Sequence, residues 1–331
     1  MSDELIFLSR QTIPPAFVIE DLGFLPDGRI SHASAINRLG HVVGDADTTD
    51  GMHGFLWIDG TMTDLGTLGG HISNAVDIND ADQIIGLSER SHGEKMVPFL
   101  WQEGRMVDLE AHDLGPVQSL GGINEHCELV GSLAVVYTEG DLNIPGETAF
   151  RWQPGGMVRL TDLPVRWSEA RAISDQRTIV GELYEPGIDR NHAFVWAEGR
   201  LIVLDAGSAL DVNDHGVIAG FARVSPSLTI ACVWTQNVRR DLPLPLGTAY
   251  SQATAINIRG DVVGNMGSSA SDTTPFLWSR QHLIDLNDTI EYRSGWLLHE
   301  AVDINDAGQI VGWGFKNHRR HAFRMTPNAA G

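Results

Sequence analysis

The chain has 331 residues, with 43 acidic and 23 basic side chains that give a formal net charge of −20 at neutral pH. Such an acidic surface repels nucleic acids and anionic lipids, so we expect neither nucleic acid nor a membrane as a partner. The two cysteines, Cys127 and Cys232, are too few for a disulfide framework, and no Cys/His spacing typical of a zinc site appears.

The N-terminal segment, residues 1–17, precedes the regular part of the chain. Asp3 and Glu4 stand where an export signal has basic residues, and the apolar run 5–8 is too short for the core of such a signal. No apolar run is long enough to cross a bilayer. We therefore expect a cytoplasmic protein, a monomer, with one domain over residues 1–331 and a short tail at 326–331.

Residues 18–325 predict seven repeats that average 44 residues. Segment 62–101 holds one complete unit, in which four short stretches of strand composition are separated by Gly, Asn, Asp and Ser, the residues that form turns. Each unit has an Ile-Asn anchor or a variant of it, and the anchor residues are Asn37, Asn79, Asn124, Ser174, Asn213, Asn257 and Asn305. A period in the forties with four strands per unit is typical of a propeller blade. The predicted fold class is all-β, a single seven-bladed β-propeller.

The two ends of the repeat region predict how the ring closes. Segment 18–22 matches the fourth strand of the other units, whereas the last unit stops after its third strand at residues 321–325. We expect segment 18–22 to pair with the strand that contains Phe323. This pairing completes the last blade and removes two exposed sheet edges.

Connection lengths predict which face carries function. We name the strands of a unit A to D, where A ends at the anchor and C contains the Phe-x-Trp pattern. The A–B and C–D turns are short and similar, and they fall on one face. The B–C and D–A connections are long and unlike one another, which is typical of a surface that carries a specific site. This second surface is called the long-loop face.

Two recurring patterns are predicted to be structural. The rings of each Phe-x-Trp pair, such as Phe99 and Trp101, point to one side of the strand, so we expect them to pack between blades. The Asn-Asp turns lack the spaced ligands and the closing Glu of a calcium loop, so no metal site is predicted. No nucleotide-binding Gly-rich motif precedes a helix, and no organic cofactor is expected.

Candidate functional residues lie just before the anchors, where strand A begins on the long-loop face. Most repeats have small or amide side chains there, and four ionisable residues differ: His32, Glu169, His299 and Glu300. Such groups are candidates for general acid and base catalysis, and the alternative is a solvated channel mouth without chemistry. Residues outside the repeat pattern in adjoining loops are predicted to line a pocket for a partly aromatic or apolar ligand: Arg166, Trp167, Tyr184, Tyr250, Tyr292, Trp296 and Trp313.

The tripeptide His-Ala-Phe occurs at residues 192–194 and 321–323, together with the segment 64–70 and the Ile-Asn-Asp-x-Gly turn. This combination resembles the bacterial HAF-repeat family over residues 18–325. The resemblance implies a repeat protein with a propeller fold and implies no activity. Two functions therefore stay open. The first is binding of a small organic ligand with cofactor-independent lyase, hydrolase, isomerase or cyclase chemistry, and the second is docking of a protein partner on the same face.

Overall fold

The computed structural model describes residues 17–110, 114, 116–139, 142–160, 167–184, 191–291 and 294–328. Within these ranges the chain is all-β, with 27 strands and a 3-10 turn at Leu286–Thr289. The alternation of apolar and polar residues within short segments bounded by turn residues favours strands throughout.

The strands follow the predicted order of short segments. In chain order they are β1 Phe17–Asp21, β2 Ser31–Ile36, β3 Val42–Asp47, β4 Met52–Ile58, β5 Thr61–Asp64, β6 Ser73–Ile78, β7 Ile84–Ser88, β8 Val97–Gln102, β9 Arg105–Asp108, β10 Val117–Ile123, β11 Leu129–Glu139, β12 Leu142–Gln153, β13 Gly156–Arg159, β14 Trp167–Ile173, β15 Ile179–Tyr184, β16 Asn191–Ala197, β17 Arg200–Val212, β18 Ile218–Ser225, β19 Leu228–Thr235, β20 Val238–Asp241, β21 Tyr250–Ile256, β22 Val262–Ser269, β23 Asp272–Ser279, β24 His282–Asp285, β25 Trp296–Ile304, β26 Ile310–Lys316 and β27 Arg319–Pro327.

These strands form four sheets of four strands and one sheet of eleven strands. Three of the small sheets are consecutive antiparallel strands, β2–β5, β6–β9 and β10–β13. The large sheet contains β14–β24, because the 13-residue β17 runs from one repeat into the next and Thr229 pairs with Tyr250 to join β19 to β21. A separate four-stranded sheet for every repeat was expected, and the fourth to sixth repeats instead share hydrogen bonds.

The fourth small sheet joins the two ends of the chain. β1 pairs antiparallel with β27, and Asp21 lies opposite Phe323, so the pairing predicted for segment 18–22 is confirmed for these two strands. The Asp21 carboxylate lies 2.9 Å from His321 Nδ1 and 3.1 Å from Lys316 Nζ. A strand from the N-terminal end is therefore fixed to the C-terminal strands by backbone pairing and by charge.

Seven clusters of buried side chains form the core, and several of them combine residues of consecutive repeats. The Phe of each Phe-x-Trp pattern is fully buried, as predicted: Phe55, Phe99, Phe150, Phe194 and Phe276. The Trp residues differ, because Trp57 and Trp152 are buried whereas Trp101 and Trp196 are only half-buried. The packing prediction is therefore confirmed for the Phe residues and only in part for the Trp residues.

The anchors connect neighbouring repeats through their side chains. Six of these amide groups donate from Nδ2 to the backbone oxygen of the next anchor, and the donor and acceptor pairs are Asn37 to Asn79, Asn79 to Asn124, Asn124 to Ser174, Asn213 to Asn257, Asn257 to Asn305 and Asn305 to Asn37. The last of these bonds, at 3.0 Å, joins the final repeat to the first. The Oδ1 atoms accept from backbone N–H groups within the same turn, as for Leu39 and His41 at Asn37. The anchor therefore builds its own turn and also binds its neighbour.

Three aspartates, two residues before an anchor, make similar links between repeats. Asp77 accepts from the N–H groups of Ile78 and Ile123, and Asp211 and Asp303 each accept from two equivalent N–H groups. Loss of hydration is the largest effect, and it raises the pKa of Asp77 to about 8, of Asp211 to about 7 and of Asp303 to about 6. The accepted N–H bonds oppose this shift.

We expect the raised aspartate pKa values to make stability depend on pH. A carboxyl that holds its proton more tightly when folded favours folding at low pH, and this stabilisation is lost as the pH rises from about 4 to about 8. Asp77→Asn should therefore flatten the decline of the melting temperature over this range. The matched control, Asp59→Asn in an exposed turn, should keep the wild-type slope. An Asp77→Asn variant with the wild-type slope would contradict the raised pKa.

Candidate functional site

Each repeat places one pair of facing residues near the long-loop end of strands A and B. One member lies five residues before the anchor and the other directly follows the Gly of strand B, so the two share one side of the sheet. These long-loop pairs are His32 with Asp45, Asn74 with Leu87, Ser119 with Ser132, Glu169 with Glu182, Ser208 with Phe221, Gln252 with Asn265, and Glu300 with Trp313. Three pairs carry charge, and they contain three of the four predicted catalytic residues.

Trp313 is the centre of a histidine cluster, which we define as His32, His299, Glu300, Trp313 and Arg320. The indole N–H donates to Glu300 Oε2 at 2.9 Å, and the His299 ring stacks on the indole with 4.3 Å between centroids. The Arg320 guanidinium carbon lies 4.4 Å from the indole centroid. Hydrogen bonding, stacking and cation–π contact together hold Trp313 in one orientation.

A backbone irregularity brings His299 and Glu300 together. Adjacent residues of a regular strand point to opposite faces, but β25 has a bulge between Leu298 and Glu300 where it pairs with β26. Both side chains consequently contact Trp313. The His299 Nδ1 atom is buried and has no hydrogen-bond partner among the residues that the structure describes. Leaving a buried polar atom unpaired is costly, but this alone does not mark a functional site, since Trp57 Nε1 in the core is also unpaired among the described residues.

His32 lies between a carboxylate and a guanidinium. Its Nε2 atom is 2.7 Å from Arg320 Nη1, and its Nδ1 atom is 3.3 Å from Asp45 Oδ2. Because arginine only donates, Nε2 accepts, so Nδ1 carries the proton and the imidazole is neutral. The lone pair that a general base needs is therefore occupied by Arg320 in this geometry, and proton abstraction by His32 requires Arg320 to move.

Two of the predicted ligand-binding aromatic residues, Tyr250 and Trp296, have different surroundings. Loss of hydration raises the pKa of the Tyr250 hydroxyl, and the charge of Glu300 raises it further, so the hydroxyl keeps its proton. Trp296 packs edge-on against His321 and Phe323, with ring centroids 5.8 and 5.9 Å apart. Packing at the junction of the chain ends is therefore sufficient to explain Trp296, whereas Tyr250 extends the cluster toward the sixth repeat.

Glu169 belongs to a second group, the glutamate cluster of Glu147, Glu169, Arg171 and Glu182. The buried Glu169 Oε2 lies 3.0 Å from Arg171 Nη2, which also donates to Glu182 Oε1 at 2.8 Å. Burial is the largest cause that raises the pKa of Glu169, and the Glu182 and Glu147 carboxylates add to it. Arg171 and the Ser119 hydroxyl oppose the shift. Within the described part of the chain, Glu169 thus contacts Arg171 and Ser119, and no contact joins it to His32, His299 or Glu300.

A groove of about 610 Å³ adjoins the glutamate cluster. It lies where the hairpin of β11 and β12 extends past the third repeat, and its lining residues are Pro116, Gln118, Ala134, Val135, Val136, Pro145, Gly146, Glu147 and Trp167. Tyr184 faces Trp167 across β14 and β15, next to the groove. The structure thus places two of the predicted ligand-binding aromatic residues side by side. Arg166 and Tyr292 lie outside the described residues.

Sequence reasoning missed Asp45, Glu147, Arg171, Glu182 and Arg320. Two features of the sequence could have indicated these residues. The position after the strand-B Gly, which holds Asp45 and Glu182, varies between repeats as much as the position five residues before the anchor does. The spacing of 51 residues between Trp101 and Trp152, against 44 for most repeats, indicates the insertion that forms the groove hairpin.

The face opposite the long-loop face has a polar cavity of about 210 Å³. In each of the seven repeats, the anchor and its two neighbours in sequence line this cavity. Its carboxylates accept backbone N–H groups of the preceding repeat, as when Asp80 accepts from Arg38 and Asp175 accepts from Glu125. These acids are therefore structural links, in agreement with the turn role predicted for them. Over the described ranges, no group of three or more His, Cys, Asp or Glu side chains is arranged to hold a metal ion.

A search for membrane-spanning helices in the described part of the chain found no helix that is long and apolar enough to cross a bilayer.

No family model and no curated protein sequence matches the chain. Similar solved structures include the β-propeller domain of the Trilobed protease from Pyrococcus furiosus, with a TM-score of 0.55, 12% identity, and coverage of 91% of this chain and 97% of that one. An acylaminoacyl peptidase from Pyrococcus horikoshii has a TM-score of 0.54 and 10% identity over 88% of this chain and 52% of its own. A puromycin-hydrolyzing peptidase from Mycobacterium tuberculosis has a TM-score of 0.55 and 12% identity over 96% and 56%.

The chain therefore spans about half the length of the two peptidases. At such low identities the likeness shows the fold alone. The all-β chain has the architecture of a β-propeller.

Proposed function

We propose that the chain is a closed propeller of seven blades that binds a small organic ligand on its long-loop face, at the mouth of the central channel. The blade count is supported by seven anchors, each preceded by the same strand-A bulge. Closure is supported by the bond from Asn305 to Asn37 and by the pairing of β1 with β27.

One observation carries the ligand-binding proposal, namely the fixed orientation of Trp313. The long-loop pairs of the other repeats do not place an indole at this position, so blade packing does not require one. Trp313 and His299 offer aromatic surface, and Arg320 offers donors for an oxygen acceptor. The cluster suits a ligand that combines a planar or aromatic group with an anionic or carbonyl oxygen.

The more specific part of the proposal is that the long-loop face also performs acid and base catalysis. An anionic group that draws Arg320 away would free the His32 Nε2 lone pair, and His32 could then accept a proton. Burial raises the pKa of Glu169, which makes this residue the candidate proton donor of the glutamate cluster. Docking of a protein partner is the second candidate. It is favoured by Val136, which is 66% exposed on the projecting β11–β12 hairpin.

A ligand screen by thermal denaturation tests the proposed function. We expect at least one compound among small aromatic carboxylates to stabilise the protein, since a ligand at about 100 times its Kd adds about 2.7 kcal/mol. His32→Asn and Trp313→Ala should each abolish this stabilisation. The matched control is His215→Asn, an exposed histidine in a short turn, and it should respond as wild type does.

The melting temperature of ligand-free His32→Asn should stay within about 2 °C of wild type, because the half-buried polar ring lies outside the core. A compound whose stabilising effect survives in both His32→Asn and Trp313→Ala binds elsewhere and contradicts the proposal. Stabilisation by no aromatic carboxylate would also contradict it.

A further inference from the structure

The groove under the β11–β12 hairpin combines an apolar wall with an acidic end. Val135, Val136 and Pro145 come from the hairpin, and Trp167 comes from the start of the fourth repeat. Neither Val136 nor Pro145 is buried, and Trp167 is half-buried. Apolar surface of this kind, left open beside an aromatic ring, is typical of a pocket for a small organic group.

The acidic end begins with Glu147, which lines the groove. Its Oε2 atom accepts from the Ser132 hydroxyl at 2.9 Å, and Ser132 lies 2.9 Å from the Ser119 hydroxyl. A side-chain hydrogen bond joins Ser119 to Glu169. Glu147 is therefore fixed at the groove by a chain of hydroxyls that leads to the buried Glu169.

The charges of this end do not balance among the described residues. Arg171 is the one cation of the described part of the chain that forms an ion pair with Glu169 or Glu182, and no described cation forms one with Glu147. Partly buried negative charge without a counter-ion is unfavourable, and a bound cation relieves it. Charge complementarity therefore selects a ligand with a positive group.

We propose that the groove binds an arylalkyl ammonium group, with the aromatic arm against Trp167 and Val135 and the ammonium nitrogen facing Glu147. The inference rests on the proposed ligand-binding role of the long-loop face and names the chemical class that the groove accepts. The ammonium group donates to the Glu147 carboxylate, and charge-assisted bonds of this kind are roughly twice as strong as neutral ones. The Trp167 face adds a cation–π or stacking contact.

Calorimetric titration with three matched probes tests the inference. The probes are 2-phenylethylamine as the cation, 2-phenylethanol as its neutral analogue and 3-phenylpropanoate as the anion. We expect the amine to bind about tenfold more tightly than the alcohol, because a hydrogen bond to a charged group contributes about 1.5 kcal/mol or more. The anion should bind more weakly than either.

Glu147→Gln should remove most of the difference between amine and alcohol while leaving the affinity for the alcohol unchanged, because glutamine can still accept from Ser132. Trp167→Ala should weaken both compounds. The control is Glu103→Gln, an exposed glutamate in a C–D turn on the opposite face, and it should bind all three probes as wild type does.

Equal affinity for amine and alcohol would overturn the inference, as would an amine affinity unchanged in Glu147→Gln, or no detectable binding of the amine. Loss of amine binding in Trp313→Ala with full binding in Glu147→Gln would assign the amine to the histidine cluster. That result overturns the groove assignment and leaves the proposed function intact. The reverse result is amine binding that depends on Glu147 and Trp167, while no ligand binds at Trp313. That result would support the groove assignment and contradict the proposed function.

Discussion

Deletion of residues 1–22 is expected to destabilise the protein and to cause self-association. The deletion removes β1 and exposes the backbone N–H and C=O groups along the edge of β27. It also removes Phe17 and Leu22, which are buried, and each such side chain contributes about 1.5–3 kcal/mol. Arg324 and His321 lose their carboxylate partners at the same time.

Two truncations separate β1 from the segment before it. The matched control removes residues 1–16 and retains β1, so the difference between the two proteins measures the strand alone. Thermal denaturation and size-exclusion chromatography should show a lower melting temperature and larger species only for the deletion that reaches residue 22. Equal melting temperatures and two monomeric truncations would mean that β1 contributes nothing to the last sheet.

The pairing of the chain ends could be predicted because its evidence is local. Segment 18–22 has the composition of a D strand and no preceding C strand, whereas the last repeat has a C strand without a D strand. A strand edge must find a partner, and only one unpaired segment matches. The anchors were predictable for the same reason, since an Asn in a short turn accepts from the backbone around it, as Asn37 does.

The arrangement of the candidate site could not be predicted from local pattern. Regular alternation assigns His299 and Glu300 to opposite faces, and only the bulge in β25 brings both to Trp313. The contact of Arg320 with His32 joins residues 288 positions apart, so no spacing rule indicates it. The long-loop pairs depend on the register between strands A and B, which a single strand does not reveal.

The shared hydrogen bonds of the fourth to sixth repeats have a similar cause. Repeat counting treats every unit alike, but the 13-residue β17 stays extended through Asp205 and Gly207, so its first part pairs with β16 of the fourth repeat and its second part pairs with β18 of the fifth. The resemblance to the HAF-repeat family stays a prediction, as do the seven-bladed count and the cytoplasmic location. Sequence periodicity thus indicates the unit and its strands, and strand irregularities decide which side chains meet.

Replacement of Trp57 by alanine is expected to cost about 3–5 kcal/mol of unfolding free energy, because a large buried ring leaves a cavity that its neighbours fill only in part. Trp57 is 1% exposed and packs in the cluster shared by the first and last repeats. The Arg324 guanidinium lies 4.4 Å from its ring centroid, so the substitution also removes a cation–π contact. Urea denaturation at constant pH measures this cost.

Two comparisons make the Trp57 result specific. Trp101→Ala, in the equivalent position of the next repeat, should cost clearly less, because Trp101 is only half-buried. Trp57→Phe should also cost much less than Trp57→Ala, since the buried Trp57 Nε1 has no hydrogen-bond partner within the described ranges and phenylalanine keeps most of the ring volume. Similar costs for Trp57→Ala and Trp101→Ala would show that burial of the repeated Trp does not control its contribution to the unfolding free energy.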